Sequence, residues 1–146
     1  MRKVLAIIAM LLAACSAQTS PQSELGAVVE TALMHPSIVK YLHPEAPGRI
    51  PVTVAFRNPS GVSSLDAELF DQPIHVVSVS NNTSAIILST TIKDNQAVID
   101  IDYPTEGIVG EIFLQRNGTK WAVISSQLEE QRPNNSFKPT PLRGAA

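Results

Sequence analysis

The chain has one cysteine, one tryptophan, two tyrosines and four phenylalanines in 146 residues. One cysteine excludes an internal disulfide and any zinc site built on paired thiolates. So few aromatics provide no platform for stacked nucleotide bases. Positive charge is also scarce: eleven Lys plus Arg stand against thirteen Asp plus Glu, for a net charge of −2. Nucleic acid, which needs a basic face, is therefore not an expected partner. The chain also lacks a Gly-x-Ser-x-Gly elbow, a phosphate loop, a dinucleotide fingerprint and a zinc signature. No serine or threonine has a nameable base beside it, so no catalytic residue, metal ligand or cofactor is nominated, and a hydrolase is the least supported of the functions considered.

What is present begins at the amino terminus. Met1-Arg2-Lys3 is a positive head, and residues 4–12 are nine almost purely apolar residues. Nine residues cannot span a hydrocarbon core about 30 Å thick, so the segment reads as an export signal and not as a permanent anchor. It ends in Leu12-Ala13-Ala14-Cys15, which resembles the lipobox of bacterial lipoproteins. The resemblance implies that residues 1–14 are removed, that the Cys15 thiol carries a diacylglyceryl group, and that the new amine is acylated. Several acyl chains make a durable anchor, where a single one holds only reversibly. Ser16 in place of Asp after that cysteine implies, by the enterobacterial version of the family, an outer-membrane address with the domain facing the periplasm. Without residues 1–14 the balance is nine Lys plus Arg against thirteen Asp plus Glu, or −4.

Residues 15–20 form the acylated cysteine and a polar tether. Ser20-Pro21 reads as an N-cap followed by proline at the first helical position. Leu25, Val28, Val29, Ala32 and Leu33 then form a stripe at helical spacing, and a helix with such a stripe must pack on something. Pro36 closes this helix near Met34, a short second helix follows with Ile38, Val39 and Leu42 inward, and residues 43–48 are a loop.

From residue 50 the period becomes two. Segments 51–56, 74–80, 85–92, 97–103, 108–115 and 121–128 read as strands, with a long irregular loop over 57–71. They are separated by Asn81-Asn82, Asp94-Asn95, 104–107 and Asn117-Gly118, all turn chemistry. The fold class expected is α+β: an N-terminal helix and a short second helix packed on a curved antiparallel meander of five to six strands. A two-residue turn at Asp94-Asn95 sets Ile92, Thr90, Leu88 and Ile86 opposite Ala97, Ile99, Ile101 and Tyr103, with the polar residues on the other face. Around Asn117-Gly118 the same exercise pairs Leu114 with Trp121 and leaves Phe113 near Ala122 and Ile124, so this hairpin is apolar on both sides. Over residues 21–130 the order of elements resembles the cystatin-like and NTF2-like α+β rolls, in which a sheet wraps a helix. Residues 131–146, with three prolines and no period, are expected to be disordered.

Two sites are expected. The doubly apolar hairpin, with Phe113, Trp121 and Ile124, implies a protein partner: an envelope accessory, inhibitor or immunity-type module. The parity of an Asn81-Asn82 hairpin puts His75 on one concave face with Val77, Leu88 and Tyr103, which suggests a small-ligand pocket between sheet and helix. Asp100 and Asp102 alternate on one strand with Glu106 and Glu111 nearby, an arrangement that most simply makes a solvated acidic face. His35 and His43 precede prolines at helix edges, where capping or exposure is expected.

Overall fold

The computed structural model describes residues 19–81 and 84–131. The signal segment, Cys15 and all of the tail except Gln131 lie outside them. Helix α1 spans Pro21–Leu33 and α2 spans Pro36–Leu42. Ser20 caps α1 as its spacing predicts, its Oγ accepting from the Ser23 amide at 3.2 Å. His35 caps α2 in the same way, Nδ1 accepting from the Ser37 amide at 3.3 Å. His43 ends α2 in the left-handed conformation, φ 48°.

Eight strands follow: β1 Thr53–Asn58, β2 Glu68–Leu69, β3 Gln72–Pro73, β4 His75–Val77, β5 Ile86–Lys93, β6 Gln96–Tyr103, β7 Ile108–Asn117 and β8 Lys120–Glu130. β2 and β3 are a small antiparallel pair at the end of the long loop, and the other six form one sheet in the order β4-β1-β5-β6-β7-β8. The α+β class, with helices packed on a six-stranded sheet, agrees with the sequence reading. From β5 to β8 the sheet is the antiparallel meander expected. The first part differs. β1 lies between β4 and β5 and runs parallel to both, so no hairpin joins β4 to β5 and the sheet is mixed.

The β5–β6 register is the predicted one, with Ile92 opposite Ala97, Thr90 opposite Ile99 and Leu88 opposite Ile101. The β7–β8 register is displaced by two residues. Asn117 pairs with Lys120, so Gly118 and Thr119 make the turn and Leu114 meets Val123 instead of Trp121. Gly118 has φ 64° and stands first in the turn, where glycine takes a positive φ without strain. A bulge then adds Ile124 between Val123 and Ser125.

The core lies between the helices and one face of the sheet. Val28, Val29, Ala32 and Leu33 of α1 are fully enclosed with Leu88, Ile99 and Ile112. Gly26 brings the helix against the loop: a Cβ there would meet the backbone carbonyl of Asp66. The helix therefore seats closely only where this one side chain is missing. Among the described residues, no helix is long and apolar enough to cross a membrane.

Candidate functional site

The two ends of the domain have different chemistry. At the end where β6 turns into β7, the segment after α2 brings Arg49 beside that turn. Nη1 of Arg49 donates to the Tyr103 hydroxyl at 2.7 Å and Nη2 donates to Glu106 Oε1 at 2.6 Å. His43 lies 3.6 Å from the other Glu106 oxygen and 3.5 Å from Glu45. The Glu106 hydrogen bond raises the guanidinium pKa further, so Arg49 is a fixed cation. Burial pushes the Tyr103 phenol above its usual range against the opposing pull of Arg49, so it remains a neutral O–H donor at physiological pH.

This cluster borders a recess of about 230 Å³, with Leu42, Val52 and Ile86 on its apolar side and Arg49, Thr53 and Thr105 on its polar side. Tyr103 was nominated from sequence at the mouth of such a pocket, and it lines this one. His75 does not. Val54 pairs with both Val76 and Ile86 and is fully buried, whereas His75 pairs with Thr53, its neighbour on the opposite face. His75 is therefore exposed on the side of the sheet away from Tyr103. The expected pairing of His75 with Tyr103 fails because the hairpin that defined its parity does not exist. Arg49 was missed, and 54 residues separate it from Tyr103. No local pattern signals such a contact.

The second candidate is the sheet face turned away from the helices. On β6 and β7, Val98 pairs with Phe113, Asp100 with Glu111 and Asp102 with Val109. Arg57 donates to Asp102 at 3.2 Å, while Asp100 and Glu111 face one another across the strands with no cation bonded to either among the described residues. A shallow recess of about 270 Å³ lies over Arg57, Ile87, the three carboxylates and Val109. Phe113 is half-buried, and Ile124, extruded at the bulge, is 59% exposed. Trp121 lies on the other face of the hairpin: it packs against the edge of the core, with the Arg116 guanidinium 5.3 Å from its ring. The sequence reading puts Trp121 on the Leu114 side of the hairpin and Phe113 on the other, and the strands keep that division. Among the described residues, no three His, Cys, Asp or Glu gather closely enough to hold a metal ion.

No family model, curated protein or solved structure matches the chain.

Proposed function

We propose that the protein is a lipid-anchored lipoprotein of the bacterial outer membrane, facing the periplasm, whose α+β domain binds a protein partner through the open face of its sheet. It is an accessory, inhibitor or immunity-type module and not an enzyme. The lipobox at Cys15 supports the address. The open face supports the mode of action, and one observation carries it: Asp100 and Glu111 stand directly opposite one another with no cation bonded to either among the described residues, beside Val98, Phe113 and Ile124. Like charges at directly opposed positions are unfavourable in a sheet, and the half-buried Val98 and Phe113 and the exposed Ile124 beside them add nothing to solubility. Both features become favourable once a partner covers them with a basic side chain and an apolar anchor.

Cross-linking in intact cells, followed by purification of the acylated protein and mass spectrometry, tests this reading. A single stoichiometric partner is expected, and it is lost both with Phe113→Asp and with the mislocalised Cys15→Ser protein. Retention of the partner by a folded Phe113→Asp protein refutes the open-face mode.

A second reading rests on the recess at Tyr103. A fixed cation and a neutral phenol donor beside an apolar wall suit a small amphipathic ligand with an acceptor oxygen. Binding raises the melting temperature by mass action, and Arg49→Ala abolishes the rise.

A further inference from the structure

The start of α1, the loop at 59–63 and the tips of the β5–β6 and β7–β8 hairpins share one end of the domain. Gln22 Nε2 donates to the Ser64 carbonyl at 3.1 Å and to its hydroxyl at 2.8 Å. Arg116 joins the two tips to the helix: Nη1 donates to Glu24 at 2.6 Å, and Nη2 donates to the Asp94 carbonyl at 3.3 Å and to Asn95 Oδ1 at 3.2 Å. The opposite end holds α2, Glu106 and the end of β8, where Tyr41 donates to Glu130 at 3.0 Å.

We infer that the first of these ends is a docking surface for anionic lipid headgroups, so that the domain stands on the membrane with the hairpin tips down and the Arg49 recess outward. The inference rests on the lipoprotein reading and adds an orientation to it. Five residue steps lead from Cys15 to Ser20. At about 3.3–3.6 Å per residue they reach no further than about 18 Å, so the first turn of α1 stays close to the acylated residue. The eleven-residue β8 is about 36 Å long at ~3.3 Å per residue, twice that reach.

Charge decides which side rests on the surface. Lys93 and Lys120 at the tips are exposed and form no ion pair among the described residues. Arg116 is neutralised by Glu24, which leaves Asp94 as the carboxylate beside them. The other ways of lying down meet repulsion. The open face would present Asp100, Glu111 and Glu129 against Arg57, which is already paired with Asp102, and the far end would present Glu45, Glu129 and Glu130 against the single exposed Lys40, so both remain net acidic. An anionic surface attracts the lysine tips and repels both alternatives. Beside the tether, Pro21, Leu25, Pro59 and Val62 line an open groove of about 410 Å³, an apolar complement to the headgroup region.

The test uses the full chain, purified acylated from membranes, with Thr119→Cys at a tip or Thr105→Cys at the far end. Both positions are exposed, and acylation of Cys15 leaves the introduced thiol as the sole target for a fluorescent label. Intact mass first establishes the acyl groups. Their absence overturns the lipoprotein reading and this inference with it. The labelled protein is then placed in vesicles of phosphatidylglycerol and phosphatidylcholine that carry a headgroup-level quencher. Quenching is expected at Thr119→Cys and not at Thr105→Cys. At about 1 kcal/mol per lysine near the surface, replacing both Lys93 and Lys120 by Glu lowers the ratio of docked to undocked protein by at least about 30-fold, or ~2 kcal/mol. In vesicles of phosphatidylcholine alone the replacement has little effect. Equal quenching at the two labels, or stronger quenching at Thr105→Cys, overturns the orientation. Quenching indifferent to the lysines and to lipid charge overturns the headgroup contact.

Discussion

The two faces of the sheet share a backbone and differ in every other respect. On the face toward α1, Val54, Leu88, Ile99 and Ile112 have no exposed surface beyond a trace, and their neighbours are other aliphatic side chains. On the opposite face the same strands present Arg57, Asp100, Asp102 and Glu111 among Val98, Val109 and Phe113. Strand alternation produces the division: one residue points into the core and the next into solvent. The comparison separates two kinds of conclusion. The closed face explains why the domain folds. The open face carries groups that folding does not require, and these are where a function has to be sought.

The largest effect that breaks the comparison comes from the closed side. Ile112 is fully buried on β7, between β6 and β8. Its replacement by Ala removes three buried carbons and leaves a cavity, so Ile112→Ala should lower stability by about 2–5 kcal/mol. Urea unfolding checks this, the midpoint falling with little change in slope. A loss below about 1 kcal/mol would mean that the helix does not seal this face.

Thr90 sharpens the comparison from within the closed side. It is 4% exposed and is opposite Ile99. Its Oγ1 has no hydrogen-bond partner among the described residues. A buried hydroxyl left unpaired costs about 1–3 kcal/mol. Thr90→Val keeps the shape and removes that cost, so the melting temperature should rise, by several degrees if about 1 kcal/mol is recovered. A fall would mean that the hydroxyl has a partner, such as a bound water.

Much of the closed face was legible in the sequence, and the reasons are local. The stripe Leu25, Val28, Val29, Ala32, Leu33 and the cap Ser20-Pro21 define α1 through contacts within a few residues. The Asp94-Asn95 turn fixes the β5–β6 register because a two-residue loop permits only one. The parallel placement of β1 was not legible. Parallel strands meet through long crossovers, and no turn residue marks the pairing. The same pairing decides His75, whose face follows from β1 and not from a hairpin with β5. The β7–β8 slip has another origin: Asn-Gly chemistry centres the turn on residues 117 and 118, whereas Gly118-Thr119 occupies it. A shift of two conserves parity, so Phe113 was still placed on the open side. The bulge at Ile124 restored that residue to solvent. Arg49, Tyr103 and Glu106 meet only after the chain has passed through β1 and β5, and short-range pattern cannot reveal such a cluster.

On the open face, Phe113→Asp should lower stability by about 1 kcal/mol, the centre of the distribution for single substitutions. The contrast with Ile112→Ala, one residue away along β7, is the informative quantity. Comparable losses would show that something of this chain covers Phe113 and that the face is not open.

The smallest effect is the most discriminating. Glu111→Lys replaces a like-charged cross-strand pair with an opposite-charged one facing Asp100. Such pairs contribute about 0.2–1 kcal/mol, so the variant should be slightly more stable than the parent at low salt and lose that advantage as salt rises. If the carboxylates are retained for a basic partner, the same substitution weakens partner capture while the fold strengthens. Opposite signs in unfolding and in binding separate a site from a scaffold, since a structural residue loses both together. An unaltered complex with the stabilised variant would leave the acidic pair unexplained and would return attention to Phe113 and Ile124 as the sole contacts. A weakened complex whose affinity also falls with salt would tie Glu111 to a cation on the partner. Reversing that cation to Glu should then restore binding to Glu111→Lys and to no other variant.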